Sequence, residues 1–204
     1  MAIERLVTAR TLAAAIVVAA CGTTTSLDQT WKPNTTPPEM HRVVTVMLSR
    51  DVTTRHLAED RMTAKLRHDG IAAVQGYTVL SDADLDNRES AKARLLAAGY
   101  DGVIVMRIVG AQQELQYIPT YWGYSPGWYG PGWWGPGYGG YYDVSTVVRV
   151  ETSAYSLSDG RLEYSALSST TDPANVKNLI DSVTSKVTHA LTKQRVVIAT
   201  AEVK

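Results

Sequence analysis

Residues Gly123 to Gly127 match the G-x-S-x-G pattern that carries the nucleophile in many serine hydrolases. Ser125 would be the nucleophile, and Asp143 and His189 follow it in the order of the hydrolase triad. The pattern works only when a helix starts at the serine, because the strained turn before that helix exposes the hydroxyl. Pro126 and the repeated Gly and Pro residues after it do not allow such a helix. We therefore attribute the match to composition and expect no enzyme.

Asp82, Asp84 and Asp86 have the spacing that opens a calcium-binding loop. Such a loop also needs Gly at its sixth position and Glu at its twelfth, where this sequence has Asn87 and Ala93. Acidic residues ahead of a helix are favoured by the helix dipole, and Asn87 is a good N-cap residue. We expect the start of a helix here and no calcium site.

The histidines and the one cysteine of the chain do not form a zinc pattern. No histidine has another histidine four residues away, and no second cysteine is present. We therefore expect surface histidines, no metal and no cofactor. The histidines are His41, His56, His68 and His189.

Cys21 ends a segment with the features of a bacterial lipoprotein signal. Arg5 and Arg10 give a positive start, residues 11–20 are apolar, and Val18-Ala19-Ala20-Cys21 resembles a lipobox. The resemblance implies cleavage of residues 1–20 and acylation of the sulfur and new amino group of Cys21. Ten apolar residues rise only about 15 Å as a helix, which is too short to span a bilayer. The alternative is an ordinary secretory signal that ends in Cys.

Membrane lipid is thus the first expected partner, because several acyl chains anchor a protein stably. Gly22 follows the cysteine, and similarity to the sorting rules of enteric bacteria implies an outer-membrane lipoprotein that faces the periplasm. Residues 21–40 are rich in Thr and Pro and have no apolar period. They predict an extended tether that holds the domain up to about 60 Å from the lipid.

Residues 119–142 contain a low-complexity aromatic segment. Ten of the sixteen aromatic rings of the chain lie between Tyr121 and Tyr142, and a Pro-Gly-aromatic unit repeats every five residues from Pro126. Gly and Pro prevent a regular helix or a central strand, so we predict a long loop that joins two strands. The candidate binding residues are Tyr121, Trp122, Trp128, Tyr129, Trp133, Trp134, Tyr138, Tyr141 and Tyr142.

Tyr and Trp rings have polar edges that suit membrane interfaces, and flat faces that suit sugars or another protein. The possible partners of the loop are therefore an envelope protein, a glycan or a membrane surface. The alternative is a self-packed lid that covers only apolar surface of its own domain. The formal net charge of zero gives no reason to expect nucleic acid.

The sequence predicts an α/β fold: a mixed sheet with a βαβαβ first half, then a β-hairpin and a C-terminal helix packed on the sheet. We expect one domain over residues 41–198. The predicted elements of the first half are a strand at Arg42–Leu48, a helix at Thr53–Asp69 ended by Gly70, a strand at Val74–Leu80, a helix within 82–98 and a strand at Val103–Ile108.

Asp159-Gly160 predicts a tight hairpin between strands at 143–157 and 161–169. A two-residue turn would pair Leu157 with Leu162, and Tyr155 with Tyr164. Asp172 and Pro173 predict the N-cap and first residue of the last helix, whose apolar stripe is Val176, Leu179, Ile180, Val183, Val187 and Leu191. Val196 to Ile198 fits either an added strand or a frayed tail.

Three features in this order resemble an uncharacterised group of bacterial envelope lipoproteins: AAGYDGVIVMRIV (97–109), a Gly/Tyr-rich insert, and VETSAYSLSDGRLEYSALSSTTDP (150–173) before a closing helix. Those proteins often have G-K-L-V-W-S in the hairpin, where this chain has GRLEYS (160–165). The layout is more loosely similar to the curli-secretion and penicillin-binding-protein-activator lipoproteins. The resemblance implies an assembly or regulatory role.

Taken together, these patterns favour a membrane-anchored periplasmic lipoprotein that is a binding or assembly module of the cell envelope. Its aromatic loop is the predicted contact surface. An oligomeric scaffold or pore-type assembly lipoprotein is the alternative, and a hydrolase of unknown class is the third hypothesis.

Changing Cys21→Ser should release the protein from the membrane fraction, because the acylated sulfur is lost. Fractionation of cells and incorporation of radiolabelled palmitate measure this effect. A variant that stays with the membrane, together with a wild-type chain that takes up no palmitate, would contradict the prediction.

Overall fold

The computed structural model describes residues 23–35, 38–85, 87–120 and 139–199, and only the backbone of 116–120 and 139–143. The strands are β1 (Thr24–Trp31), β2 (Arg42–Leu48), β3 (Ala72–Gln75), β4 (Gly102–Thr120), β5 (Gly139–Ser156) and β6 (Leu162–Thr171). The helices are α1 (Val52–His68), α2 (Asp82–Leu85), α3 (Arg88–Ala97) and α4 (Val176–Lys193), and a 3-10 turn spans Gly76–Thr78.

The described strands form one six-stranded sheet in the order β1-β6-β5-β4-β2-β3. Strands β2, β3 and β4 pair in parallel, whereas β4, β5, β6 and β1 pair antiparallel. The predicted βαβαβ first half, hairpin and closing helix are confirmed. Parallel pairing requires crossover connections, which α1 and the α2–α3 pair provide.

Helices α1 and α4 bury the larger apolar face of the sheet. Met62 and Leu66 of α1 and Val187 and Leu191 of α4 pack in one cluster with sheet residues such as Ile104. On the opposite face, a smaller cluster forms around Leu95 of α3. The stripe predicted for the last helix docks from Leu179 to Leu191, whereas its first predicted member, Val176, is exposed.

The predicted strand at Val74–Leu80 and the predicted start of the last helix are both wrong in their bounds. Strand β3 ends at Gln75, after which the chain turns into Gly76–Thr78. Helix α4 is capped by Asn175, whose side chain accepts from the amide of Asn178. The Asn87 cap of α3 is confirmed, since its Oδ1 accepts from the amide of Ser90 at 3.1 Å.

The predicted tether over residues 21–40 is wrong for Thr24–Trp31, which forms edge strand β1 beside β6. Apolar periodicity is weak here because the one buried residue of this strand is Thr25 and only Leu27 packs beside it on the core. Thr25 is only 4% exposed, and its Oγ1 lies 2.7 Å from Oγ1 of Thr170. The Ser182 hydroxyl of α4 also donates to Thr25. Hydrogen-bonded hydroxyls can be buried at little cost.

The predicted hairpin register is also wrong. Strands β5 and β6 are joined by residues 157–161, and Tyr155 pairs with Leu162 while Ala154 pairs with Tyr164. The turn is longer than the expected two residues, with Gly160 at φ 73°, and the extra residue of a bulge is Glu163. Burial raises the pKa of the Glu163 carboxyl.

The segment after α4 makes a single parallel bridge and not a full strand. Val197 pairs with Met40, and the amide of Ile198 donates to the Met40 carbonyl at 2.9 Å. Met40 is fully buried, so this bridge holds the end of the domain against a residue two positions before β2.

Glu59 of α1 is a buried carboxylate that joins three elements. It is 1% exposed, and its two oxygens accept from the amides of Met47 at 3.0 Å and Tyr77 at 2.9 Å. Burial raises the pKa of this carboxyl above its ordinary value of 4.5, and the two amide hydrogen bonds oppose that shift. The carboxylate thus fastens α1 to the ends of β2 and β3.

Truncating Val187→Ala should lower the free energy of unfolding by about 1–3 kcal/mol, because the side chain is fully buried and leaves a cavity. Lys186→Ala, at the exposed neighbouring position, is the matched control. Urea unfolding measures both. Equal stability of the two variants would show that α4 does not pack as described.

Replacing Glu59→Gln should change the pH dependence of stability. The folded pKa lies above the unfolded one, so the folded chain binds more protons between these values and its stability falls as pH rises through them. Relative to the Gln variant, the wild type should therefore gain stability as pH falls from about 7 toward about 5. Urea unfolding at both pH values tests this, and an unchanged difference would contradict it.

Candidate functional site

Strands β4 and β5 extend far beyond the rest of the sheet as a two-stranded ribbon. Thr24, Thr171, Val147 and Gln112 lie in one row across β1, β6, β5 and β4. Beyond this row, residues 113–120 and 139–146 pair only with each other among the described residues. Eight residues per strand give the ribbon a length of about 26 Å.

Asp172 ends strand β6, so no third strand within the described ranges pairs with the ribbon. Its backbone has φ 46°, which turns the chain away from the sheet. Its amide donates to the Thr146 carbonyl at 2.8 Å, and its Oδ1 accepts from the Thr146 amide at 2.7 Å. Pro173 then has no amide hydrogen to donate.

One face of the ribbon and its base carries ion pairs. Arg149 donates to Gln112 Oε1 at 2.8 Å and to Glu114 Oε1 at 2.7 Å. At the base, Arg107 Nη2 donates to Glu151 Oε2 at 2.6 Å. Exposed pairs of this kind add little stability, but they define a polar face across both strands.

The other face of the ribbon is apolar and exposed. Leu115 and Val144 are cross-strand partners, and their exposed fractions are 71% and 53%. The register position two residues further along pairs Tyr117 with Tyr142. An unshielded Leu–Val pair on a projecting ribbon is suited to contact with another apolar surface.

The predicted aromatic loop is shorter than residues 119–142, because β4 continues to Thr120 and β5 begins at Gly139. A ribbon edge tolerates Pro119, since a strand with a free edge needs fewer amide donors. Tyr141 and Tyr142 lie in β5, paired with Ile118 and Tyr117. The other predicted binding residues lie outside the described residues: Tyr121, Trp122, Trp128, Tyr129, Trp133, Trp134 and Tyr138. Cys21 also lies outside them.

The hydrolase triad is not assembled from described side chains. Ser125 lies outside the described residues, Asp143 belongs to ribbon strand β5, and His189 is an exposed residue of α4. Within the described ranges, no group of three or more His, Cys, Asp or Glu side chains could hold a metal ion.

The aspartates of the calcium-like pattern take part in local structure. Asp82 binds Arg55 Nη1 at 2.8 Å. Asp84 accepts from the Ser81 hydroxyl and amide at 2.6 and 2.8 Å, and these bonds lower the pKa of its carboxyl. Asp86 lies outside the described residues. Asp84 thus caps the start of the α2–α3 segment.

The four histidines occupy separate places in the fold. The ring of His56 stacks on Tyr77 with centroids 4.1 Å apart, and His68 Nδ1 lies 3.1 Å from Asp69. His41 lies 3.7 Å from Glu39, and His189 is exposed on α4.

A groove between α3 and the sheet was not predicted from the sequence. Its volume is about 270 Å³, and its floor includes Val46, Leu95 and Val105. Arg88 and Lys92, one turn apart on α3, lie at its rim. The Arg88 guanidinium sits 5.7 Å from the centre of the Tyr155 ring and donates to the Gly160 carbonyl at 3.2 Å. The four-residue spacing of Arg88 and Lys92 was the one feature of the sequence that could have indicated this groove. That they lie beside the β5–β6 turn could be seen only in the folded structure.

None of the helices that the structure describes combines the length and hydrophobicity needed to cross a bilayer. No protein-family model matches the sequence, and no curated protein matches it either.

Solved structures with a similar outline include the PelC dodecamer from Paraburkholderia phytofirmans, at 16% identity and a TM-score of 0.46 over 85% of this chain and 97% of that one. A point variant of the same dodecamer gives 17% identity and a TM-score of 0.45, over 85% of this chain and 98% of that one. Lipoprotein GNA1162 from Neisseria meningitidis has 13% sequence identity and a TM-score of 0.41, over 76% of this chain and 99% of that one. At these TM-scores the likeness assigns no function to this chain.

Proposed function

We propose that this chain is a membrane-anchored lipoprotein of the bacterial cell envelope that acts as a binding or assembly module. Its anchor is acylated Cys21 on the periplasmic side of the outer membrane. Its contact surface is the β4–β5 ribbon together with the aromatic segment that joins the two strands. The protein works by binding a partner and not by turnover.

The ribbon is the observation that carries this proposal. A two-stranded ribbon with no third strand contributes little to the core, and Leu115 and Val144 on it are exposed. An isolated ribbon of this kind adds little to the free energy of unfolding, so a role in binding accounts for it better than a role in stability. Here the ribbon supports a segment that contains seven of the predicted binding residues, from Tyr121 to Tyr138.

The composition of the segment indicates what it does. Trp and Tyr contribute large rigid contact areas at low cost in conformational entropy, and they dominate the energetics of many interfaces. The Gly residues between them permit backbone conformations that other residues rarely adopt, and the Pro residues fix φ at about −65°. An envelope protein, a glycan and a lipid surface all offer flat or apolar features that such rings bind.

The test replaces Tyr121 to Tyr138 with a short Gly/Ser linker in the full chain. Circular dichroism and melting should stay nearly unchanged, because closing a shorter loop costs no more entropy than closing a long one. Crosslinking pull-downs from envelope fractions should lose the captured partner. An unfolded shortened chain would indicate a structural lid, and undiminished capture would exclude the segment as the contact surface.

Changing only Trp128, Trp133 and Trp134 to Ala should reproduce most of that loss of capture, because these rings offer the largest contact area. Trp31→Ala is the matched control, since Trp31 is exposed but lies in β1 outside the segment. Equal capture by the triple variant and the control would contradict the assignment.

A further inference from the structure

We infer that the ribbon end of the domain faces the membrane and docks on the lipid surface through its exposed apolar side chains. This inference rests on the proposed acylation of Cys21. It names the bilayer as the partner of the ribbon base and of the apolar pair Leu115–Val144.

The first step concerns where the chain enters the domain. Strand β1 begins at Thr24, and only two residues separate Thr24 from Cys21. Fully extended, that stretch spans at most about 11 Å. The start of β1 therefore lies close to the acyl chains, in contrast to the long tether that composition predicts.

The second step concerns direction. Strand β1 is antiparallel to β6, so Thr24 pairs with Thr171, the last residue of β6. Thr171 pairs in turn with Val147, and residues 139–146 of β5 extend beyond that row. The lipid anchor and the ribbon therefore leave the sheet at the same end, and β6 is the only strand between β1 and β5.

The third step compares the two lengths. From the shared row of Thr24 and Val147, the ribbon extends about 26 Å. The anchor allows at most about 11 Å between that row and the membrane surface. An acylated chain with this sheet thus brings the ribbon to the bilayer, where the domain tilts and lays the ribbon against it.

The fourth step is the distribution of exposed apolar side chains. Among the described residues, four of the nine large apolar side chains that are exposed lie on β4 and β5 beyond the last row that pairs with β2: Ile108, Val109, Leu115 and Val144. Val176 lines a cavity with Ile108, and Leu48 and Val52 lie at the end of β2 and the start of α1. The two others, Trp31 and Leu96, lie at the far end of β1 and at the end of α3 that leads into the start of β4.

The charges at this end suit apolar docking and not electrostatic attraction. Arg149 is paired with Glu114 and Arg107 with Glu151, on the face of the sheet opposite the Leu115–Val144 pair. A surface without a cluster of free cations gains little from anionic headgroups. Docking should therefore depend on buried apolar area and respond weakly to salt.

One experiment measures depth in the acylated full chain. Acylation consumes the thiol of Cys21, so Leu115→Cys supplies a single reactive thiol for an NBD dye. In vesicles of phosphatidylethanolamine and phosphatidylglycerol, the dye should show blue-shifted emission and quenching by doxyl-labelled lipid, in low salt and in about 0.5 M salt. Trp31→Cys and Leu96→Cys, labelled in the same way, should show neither effect.

Equal quenching at positions 31, 96 and 115 would overturn the inferred orientation. Mass spectrometry of the same samples reads acylation of Cys21 separately, so a failed anchor and a failed orientation are distinguished.

A second experiment tests docking without the acyl chains. The Cys21→Ser chain loses stable anchoring, but at the high lipid concentration of a flotation gradient, where weak binding is measurable, a small fraction of it should still float with the same vesicles. Adding Leu115→Gln with Val144→Gln should lower that fraction about tenfold because two apolar side chains lose their burial. Leu96→Gln in the same background, an exposed leucine away from the ribbon, should leave flotation unchanged. Flotation that does not depend on the Leu115–Val144 pair, or no flotation at all, would overturn the inferred docking.

Discussion

The hydrogen bonds between Asp172 and Thr146 stand where the regular sheet ends and the ribbon begins. Asp172 adopts a left-handed backbone conformation. Its amide donates to the carbonyl of Thr146 in β5, and its carboxylate accepts from the amide of the same residue. Strand β6 cannot continue past this point, while β4 and β5 do. This termination therefore sets the row beyond which β4 and β5 pair only with each other among the described residues.

Helices cover both faces of the part of the sheet from which the ribbon projects. Helices α1 and α4 cover one face of the sheet, and the buried Glu59 ties α1 to the ends of β2 and β3. Helix α3 covers the parallel strands on the opposite face and leaves the groove near Arg88 and Tyr155. The ribbon thus projects from a sheet that carries helices on both faces.

The ribbon combines a polar face and an apolar face. Its backbone pairing is regular, since the one register shift between β4 and β5 lies before the ribbon, between Ile108 and Gly110. Its two faces differ in polarity because side chains alternate along each strand. Arg149 and Glu114 occupy one face, and Leu115 and Val144 the other. The proposed binding role and the inferred membrane contact both use this alternation.

Much of the fold was predictable from local patterns. Residues such as Val43 to Met47, the stripe from Leu179 to Leu191 and the Asn87 cap have signals that depend only on near neighbours in the chain. Cys21 and the aromatic segment are also sequence features, because a signal motif and a composition need no tertiary contact to be recognised. The fold class and the candidate binding residues could therefore be named from the sequence.

The tertiary structure alone decided which end of the sheet each feature occupies. Thr24 to Trp31 has no apolar period, and its strand is held by pairing with β6, by Leu27 against the core and by the Thr25 hydroxyl, which meets Thr170 and Ser182. The hairpin register depended on the bulge at Glu163, and the end of β6 on the backbone of Asp172. Such long-range pairings leave no periodic trace in the chain, since their energy arises between residues more than a hundred positions apart in the case of β1. That distance along the chain is why only the folded sheet shows that Thr24, at the start of β1, lies at the same end as the β4–β5 ribbon.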